Sequence, residues 1–448
     1  MKRILTEYLS YLLVGALLGM IMAFSFTPQA YAASNDSAII VKGNSNQTRF
    51  QHDTDLAYNE LNKSRNLSAA DIQYLDGNTS APGVDGIANK SNLNQSITQW
   101  AKDHCTSGGK LTIYISGHGG NNGTPNDTTD DYLRIGPDKV TGQELKAWIN
   151  QLKNSTGVNI SEIVIVIESC HSGSFIDDLN ATNTTVITAS EPCKPSYGYD
   201  CYGNSFSEPF WKNITDNRTL TQAFTNASQA VSDVNKKFPG LTPQVPLYDD
   251  NGDGVGHPGP LPNGSDGNRT KDLKTGVNVS NNSRPVINNK TPDQTVAPGT
   301  SKLLNVTATD NKNVTRVYGR VFAPGFDFCD PSNEECVWDP PTIEFMHVGG
   351  NLWQYNYTFG TAGDYYIMLL AEDNESSLSY ADWIDINAPG GVGGIVEFPQ
   401  LGEPGAATPD LSGHNYGAAA GIIAGAVAGV IALTGAVWYI RRRRTKAT

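Results

Sequence analysis

The sequence predicts an α/β domain built on a parallel sheet with helices on both faces, then an all-β sandwich, then a C-terminal transmembrane helix. Three observations carry this. Strand-like and helix-like segments alternate between residues 38 and 258, and strand candidates such as "IVIVIESC" are nearly continuous apolar runs, the mark of strands buried on both faces. Between 285 and 388 the pattern becomes short aromatic and β-branched runs separated by turn residues. From Gly417 to Ile440 the chain is uncharged for roughly the 20 residues that span a bilayer.

Taken in order, residues 1–32 read as a secretory signal peptide: "MKR", the apolar "YLLVGALLGMIMAF", and the small-residue site Ala30-Tyr31-Ala32. An uncleaved N-terminal anchor is the other reading. The α/β domain is expected over 38–258. Its strands are "AIIVKG", "IQYLDG", "LTIYISGHGG", "IVIVIESC" and "TVITAS". Helix-like stretches fall between them: Thr54 to Arg65, "LNQSITQWAKDHC", "TGQELKAWINQL" with Leu145, Trp148, Ile149 and Leu152 at helical spacing, and Leu220 to Val234. A Gly/Asn/Pro/Ser-rich linker is expected over 259–284, and an immunoglobulin-like β-sandwich over 285–388, its aromatics read as core. A Gly/Pro-rich tether, 389–416, leads to the membrane helix, 417–440, and a basic tail, 441–448.

Charge and composition place the chain. At 448 residues it exceeds one ordinary domain, and 32 basic against 45 acidic residues give a net charge of −13. That balance argues against a nucleic-acid partner. Arg441 to Arg444 with Lys446 then read as a topology signal, leaving the tail in the cytoplasm and the rest at the cell surface. Asn-x-Ser/Thr sequons at Asn46, Asn66, Asn154, Asn213, Asn305 and Asn356 suit that side of a membrane. Six cysteines in an oxidising compartment are expected to pair. Cys193 with Cys201 and Cys329 with Cys336 form close local pairs, while Cys105 and Cys170 stay undecided.

Two strand ends carry reactive residues. "IYISGHGG" delivers His118 and "IVIVIESC" delivers Cys170, and ligands of open α/β sheets bind at the carboxyl ends of strands. Parallel strands joined by one helical crossover are usually neighbours, so imidazole and thiol are expected to meet above the sheet. A cysteine nucleophile needs such a base, and the glycines beside His118 allow backbone N–H groups to reach a developing oxyanion. The adjacent His171 reads as loop or rim.

These two blocks, "SGHGG" and "ESCHSGSF", resemble those of the legumain family, cysteine peptidases of caspase-like fold. The similarity runs from about Ala38 to His257 and includes "VITASEP", "FSEPFW" and "TPQVPLYDDNGDG". The resemblance implies Cys170 as nucleophile, His118 as general base and acid, and the N–H groups of Gly119 and Cys170 as oxyanion donors. An Asn that orients the histidine would fall at Asn46 or Gln47. It also implies a pocket for Asn, and under acid conditions Asp, with Arg49 and Glu168 at its first two positions. At the third stands Asn204 or Ser205, neutral where the family has a carboxylate. An Arg-Glu pair supplies the donor and the acceptor that a side-chain amide requires. The chain departs from the family in continuing into β-structure instead of a helical pro-segment.

Asp249, Asn251 and Asp253 followed by Gly254 match the first half of an EF-hand loop, but Pro260 stands at the twelfth position. A bound Ca²⁺ and a plain Asp/Asn/Gly turn are both open; catalysis itself requires no cofactor. The sequence therefore points to a membrane-anchored extracellular cysteine endopeptidase acting on proteins or peptides. A gingipain-like specificity, a transpeptidase and a catalytically silent surface adhesin are the alternatives.

Overall fold

In the central strands, successive residues face opposite sides of the sheet and both sides are apolar, so helices must cover each. In chain order the elements are β1 (Ser37–Lys42), α1 (Thr48–Asn59), β2 (Ile72–Asp76), β3 (Gly86–Ile87), α2 (Lys90–Gln95), α3 (Ala101–His104) and β4 (Lys110–Ser116). After them come β5 (Gly119–Gly120), β6 (Tyr132–Ile135), β7 (Asp138–Thr141), α4 (Gly142–Lys153), β8 (Glu162–Glu168), α5 (Ile176–Leu179), β9 (Thr184–Thr188), α6 (Ser207–Thr215), α7 (Leu220–Lys237) and β10 (Leu247–Asp249). This computed structural model describes residues 34–43, 48–121, 131–197, 206–328 and 339–390.

The seven-stranded sheet has the order β10-β9-β8-β4-β1-β2-β3. It is parallel except for β10, which runs antiparallel to β9. Ile163, Ile165 and Ile167 of β8 pack on one face with Leu93, Ile97, Leu145, Trp148 and Leu152. Val164 and Val166 pack on the other with Ala57, Phe210, Trp211, Phe224 and Val231. The covering helices begin where their sequences direct: Thr141 with Glu144 caps α4, and Thr219 with Gln222 caps α7, each as a reciprocal capping box. Between β4 and β8 lies a small antiparallel sheet, β5-β6-β7, which the sequence reading did not include.

The segment expected as a linker, 259–284, packs as a strap on the α/β domain. Arg269 spans both oxygens of Glu162 and also reaches Thr184 O and Thr185 Oγ1. Buried Asp250 accepts from Gly267 N and Thr270 N, and Gly276 N donates to Asp36. Polar composition suggested a linker; the strap is polar because its backbone and side chains satisfy buried groups of the domain.

Beyond the strap come β11 (Val286–Lys290), β12 (Gln294–Thr295), β13 (Thr300–Thr309), β14 (Val314–Phe322), β15 (Thr342–Glu344), β16 (Met346–Gly349), β17 (Leu352–Phe359), β18 (Gly363–Asp373) and β19 (Asp382–Ala388). They make two sheets, β11-β13-β17-β16 and β12-β19-β18-β14-β15. Leu304, Val306 and Trp353 of the first pack with Val317, Ile367, Leu369 and Ile384 of the second. The aromatics are not all core of this sandwich. Tyr318, Phe322, Met368 and Trp383 face outward from the five-stranded sheet and pack on Val234 and Phe238 at the end of α7. Buried ions join the same surfaces: Lys212 pairs with Glu208 and donates to Ser379 O (2.7 Å), and Arg284 bridges Glu60 (3.0 Å) and Asp216 (3.2 Å).

One expectation is overturned and several others fall outside the described residues. Asn213, read as a sequon acceptor, is buried; its Nδ2 donates to Pro209 O and its Oδ1 accepts from Asn226, which leaves no room for a glycan. Among the described residues no helix is long and apolar enough to cross a membrane. The expected signal peptide, membrane helix and basic tail lie outside the described residues, as do Cys201, Cys329 and Cys336 of the expected disulfides.

Candidate active site

Parallel pairing of β4 with β8 sets Ser116 opposite Glu168, and Gly117 N donates to Glu168 O (3.0 Å) to continue the ladder one residue further. His118 and Cys170 each follow two residues beyond that rung. They therefore emerge side by side at the carboxyl end of the sheet. Both are buried, and both line a narrow recess shared with Arg49, Phe50, Asp53, Gly117, Glu168, Ser169 and Ser196.

The contact between the two loops is close. A Cβ on Gly119 would lie 1.9 Å from the carbonyl oxygen of Cys170, so only glycine fits there. Phe50 meets the His118 ring edge-on at 5.0 Å between centroids and fixes one side of it. His118 Nε2 is buried without a hydrogen-bond partner. Burial first, then the positive charges of Arg49 and Arg134, hold this imidazole down to about 4, so it is neutral at ordinary pH with a nitrogen open to accept a proton. The Cys170 sulfur accepts from Ser196 N (3.3 Å), a contact stronger for a thiolate than for a thiol. Gln244 holds the Ser196 loop in place, accepting from Tyr197 N (2.9 Å) and donating to Ala189 O (2.8 Å).

Glu168 lies in the same recess. Its Oε1 accepts from Ser196 Oγ, and its Oε2 accepts from Ser207 N (2.9 Å) and Ser207 Oγ (2.8 Å). Arg49 lines the same recess from α1, together with Glu168 and Cys170. Asn204, Ser205, Asn46 and Gln47 lie outside the described residues. The sequence reading missed Asp53, Phe50 and Ser196. Asp53 had a signal, since it follows Arg49 by four residues on one helix and so shares its face. Ser196 sits in a loop with no periodicity to reveal it.

Cys105 is a free, buried thiol near the start of β1, at the opposite end of the sheet from Cys170, so the two do not join. Burial pushes this thiol up to about 11, which makes it inert. His171 takes a left-handed backbone (φ 63°) and turns its Nδ1 to Asp131 at 3.6 Å. Asp131, His171 and Cys193 bring one ligand atom each within 4.8 Å of one another, the one such group among the described residues.

The Asp249, Asn251, Asp253 loop is folded on its own backbone. Asp249 accepts from Gly252 N (2.7 Å) and Gly254 N (3.1 Å), Asn251 from Asp253 N (2.7 Å), and Asp253 from Val255 N (2.8 Å). These are Asx turns, which need no ion to form.

Residues 103–242 match the sequence profile of the Peptidase C13 family. The matched stretch holds both strand ends, with His118 and Cys170, and supports cysteine peptidase activity of the legumain type; it begins after α1 and so omits Arg49 and Asp53. No curated protein matches the chain. Among solved structures, the fibronectin(III)-like modules of CbhA from Clostridium thermocellum are 16% identical with a TM-score of 0.17, the match covering 32% of this chain and 60% of that one. The PKD domain of an M14-like peptidase from a Thermoplasmatales archaeon is 17% identical over 24% of this chain and 99% of that one, with a TM-score of 0.17. CopC from Methylosinus trichosporium is 6% identical over 24% of this chain and 94% of that one, with a TM-score of 0.18. Scores this low carry no argument about fold or function.

Proposed function

We propose that this chain is a membrane-anchored extracellular cysteine endopeptidase that cleaves after Asn or Asp through Cys170 and His118. The observation that supports it most is the register of β4 and β8, which brings a neutral imidazole and a thiol to adjacent strand ends over one recess. In this reading His118 takes the thiol proton as Cys170 Sγ attacks the scissile carbonyl carbon. Gly119 N–H and Cys170 N–H receive the oxyanion, and His118 returns the proton to the leaving amine. Water then attacks the thioester, with His118 as base again, and releases the acid.

The recess containing Arg49 and Glu168 seats the side chain that precedes the cleaved bond. Guanidinium N–H groups meet an amide oxygen and the carboxylate meets the amide N–H₂. Anchoring at the cell surface rests on the sequence, through the uncharged run 417–440 and the arginines after it. Incubating the full-length protein with a peptide library, with and without a thiol alkylator, tests the proposal. Alkylator-sensitive cleavage after Asn or Asp is expected. Cleavage after Arg or Lys would reject this recess as the specificity site, and no cleavage at all would reject the enzyme.

A further inference from the structure

Two carboxyl groups line the recess, although the sequence predicted one. Asp53 stands one helical turn after Arg49 on α1, and its Oδ2 accepts from Ser116 Oγ at 3.1 Å. Ser116 is the register partner of Glu168. Both carboxyls therefore sit over the same rung of the sheet, at 4% exposure each, beside Arg49 at 8%. Two buried carboxylates so placed with one guanidinium leave a negative charge that burial does not tolerate.

We propose that Asp53 is a specificity-determining residue that shares one proton with Glu168, so that the recess offers a guanidinium, a carboxylate and a carboxylic acid O–H to a side-chain amide. The inference rests on reading this recess as the seat of the residue before the cleaved bond. The proton resides on Asp53, because Glu168 receives three donors, from Ser196 and from the N–H and hydroxyl of Ser207, that favour its charged form. The groups facing Asp53 are His52 and Arg49 on α1, Ser116 and Tyr114 on β4, Glu168 on β8, and Glu208 with Lys212 on α6. Burial first, and then the Glu168 charge, push the Asp53 carboxyl up to about 7, against a smaller opposing pull from His52.

With one proton on the pair the recess is neutral overall. The Asn amide oxygen accepts from Arg49 and the Asp53 O–H, and the amide N–H₂ donates to Glu168. When Asp53 ionises, the O–H donor is lost and the recess becomes negative, which repels an Asp side chain most. Asp53 thus supplies a second carboxyl of the recess from α1, the helix that follows β1.

The test uses the full-length protein and matched peptides with Asn or Asp before the cleaved bond, measured from about pH 5.5 to about pH 8.5. In the wild type, KM for the Asn peptide is expected to rise above about pH 7 while kcat stays level, and the Asp peptide is expected to lose about tenfold more. In Asp53→Asn the neutral amide donor remains at every pH, so this alkaline limb in KM should vanish. At about pH 8.5 the Asp-to-Asn preference should rise about tenfold relative to wild type, with little difference at about pH 5.5. Glu168→Gln removes the neighbouring charge and should instead move the limb to lower pH, a second readout should Asp53→Asn not fold. A wild-type KM flat across this range, or a variant slowed equally at all pH, would overturn the inference while leaving cleavage after Asn intact. Absence of any cleavage by the wild type, or cleavage that survives Cys170→Ala, would instead reject the peptidase reading on which it stands.

Discussion

Gly119→Ala probes the join between the two loops more sharply than removal of a reacting group. The new Cβ would lie 1.9 Å from the Cys170 carbonyl oxygen, and ordinary contact begins at 3.4 Å, so the loops must part by about 1.5 Å. The neighbouring backbone is held on both sides: Arg134 N donates to His118 O (2.8 Å), and His171 N donates to Lys194 O (2.8 Å). Overpacking of this kind costs about 1–3 kcal/mol, tolerable for a domain with a core on each side of its sheet. A displacement near 1 Å between reacting groups costs about a hundredfold in rate. We therefore expect kcat/KM to fall by about a hundredfold or more, with the unfolding midpoint lowered but the transition still cooperative. Gly120→Ala is the control one residue away. Its Cβ would come 3.0 Å from the Tyr132 hydroxyl, the far end of a side chain that can swing, so activity within about threefold of wild type is expected. Steady-state kinetics with a fluorogenic Asn peptide and urea unfolding read both variants. Equal activity of Gly119→Ala and wild type would refute the claim that the His118 and Cys170 loops act in contact.

Three further outcomes follow from the same geometry. Since burial and the Arg49 and Arg134 charges depress His118 to about 4 from an ordinary 6.5, the unfolded chain takes the proton first on acidification. Its contribution to stability is whole above about pH 6.5 and is lost as pH falls toward 4, and the acid limb of kcat/KM should lie near pH 4; a limb near 6.5 would mean a solvated imidazole. Lys212→Met leaves the buried Glu208 carboxylate facing His52 at 3.7 Å and removes the bond to Ser379 O, so a loss of about 3 kcal/mol is expected in urea unfolding of the full chain, against no change if pairing and desolvation balance. Because the oxygens of Asp249, Asn251 and Asp253 already accept backbone N–H groups, chelator should leave the melting temperature unchanged; a drop of several degrees would establish a Ca²⁺ site.

Much of the α/β core was legible because the physics that builds it is local and periodic. Ile163 to Ile167 announce a strand buried on both faces, and Leu145, Trp148, Ile149 and Leu152 announce the helix that covers one of them. The pairing of His118 with Cys170 followed from the crossover rule alone. What escaped depends on contacts distant in sequence. The strap reads as a linker by composition, yet Arg269 finds Glu162 more than a hundred residues earlier, and Arg65 donates to Gly276 O. Asn213 satisfies a sequon and is nonetheless buried by α6 and α7. The strands of the β5-β6-β7 sheet are too short for alternation to stand out. Asp53 was overlooked because an acid on a helix reads as a solvated face until the helix is seen to lie over the strand ends.

Thiol labelling tests the central claim most directly. The full-length protein is treated with a limiting amount of iodoacetamide, residual activity is measured, and the labelled residue is identified by mass spectrometry of its peptides. Loss of activity in proportion to label on Cys170 is expected, with Cys105, buried and held protonated, left unmodified. His118→Ala should slow that labelling, and Cys170→Ala should neither cleave peptide nor take the label. Full activity in protein alkylated stoichiometrically at Cys170 would contradict the account.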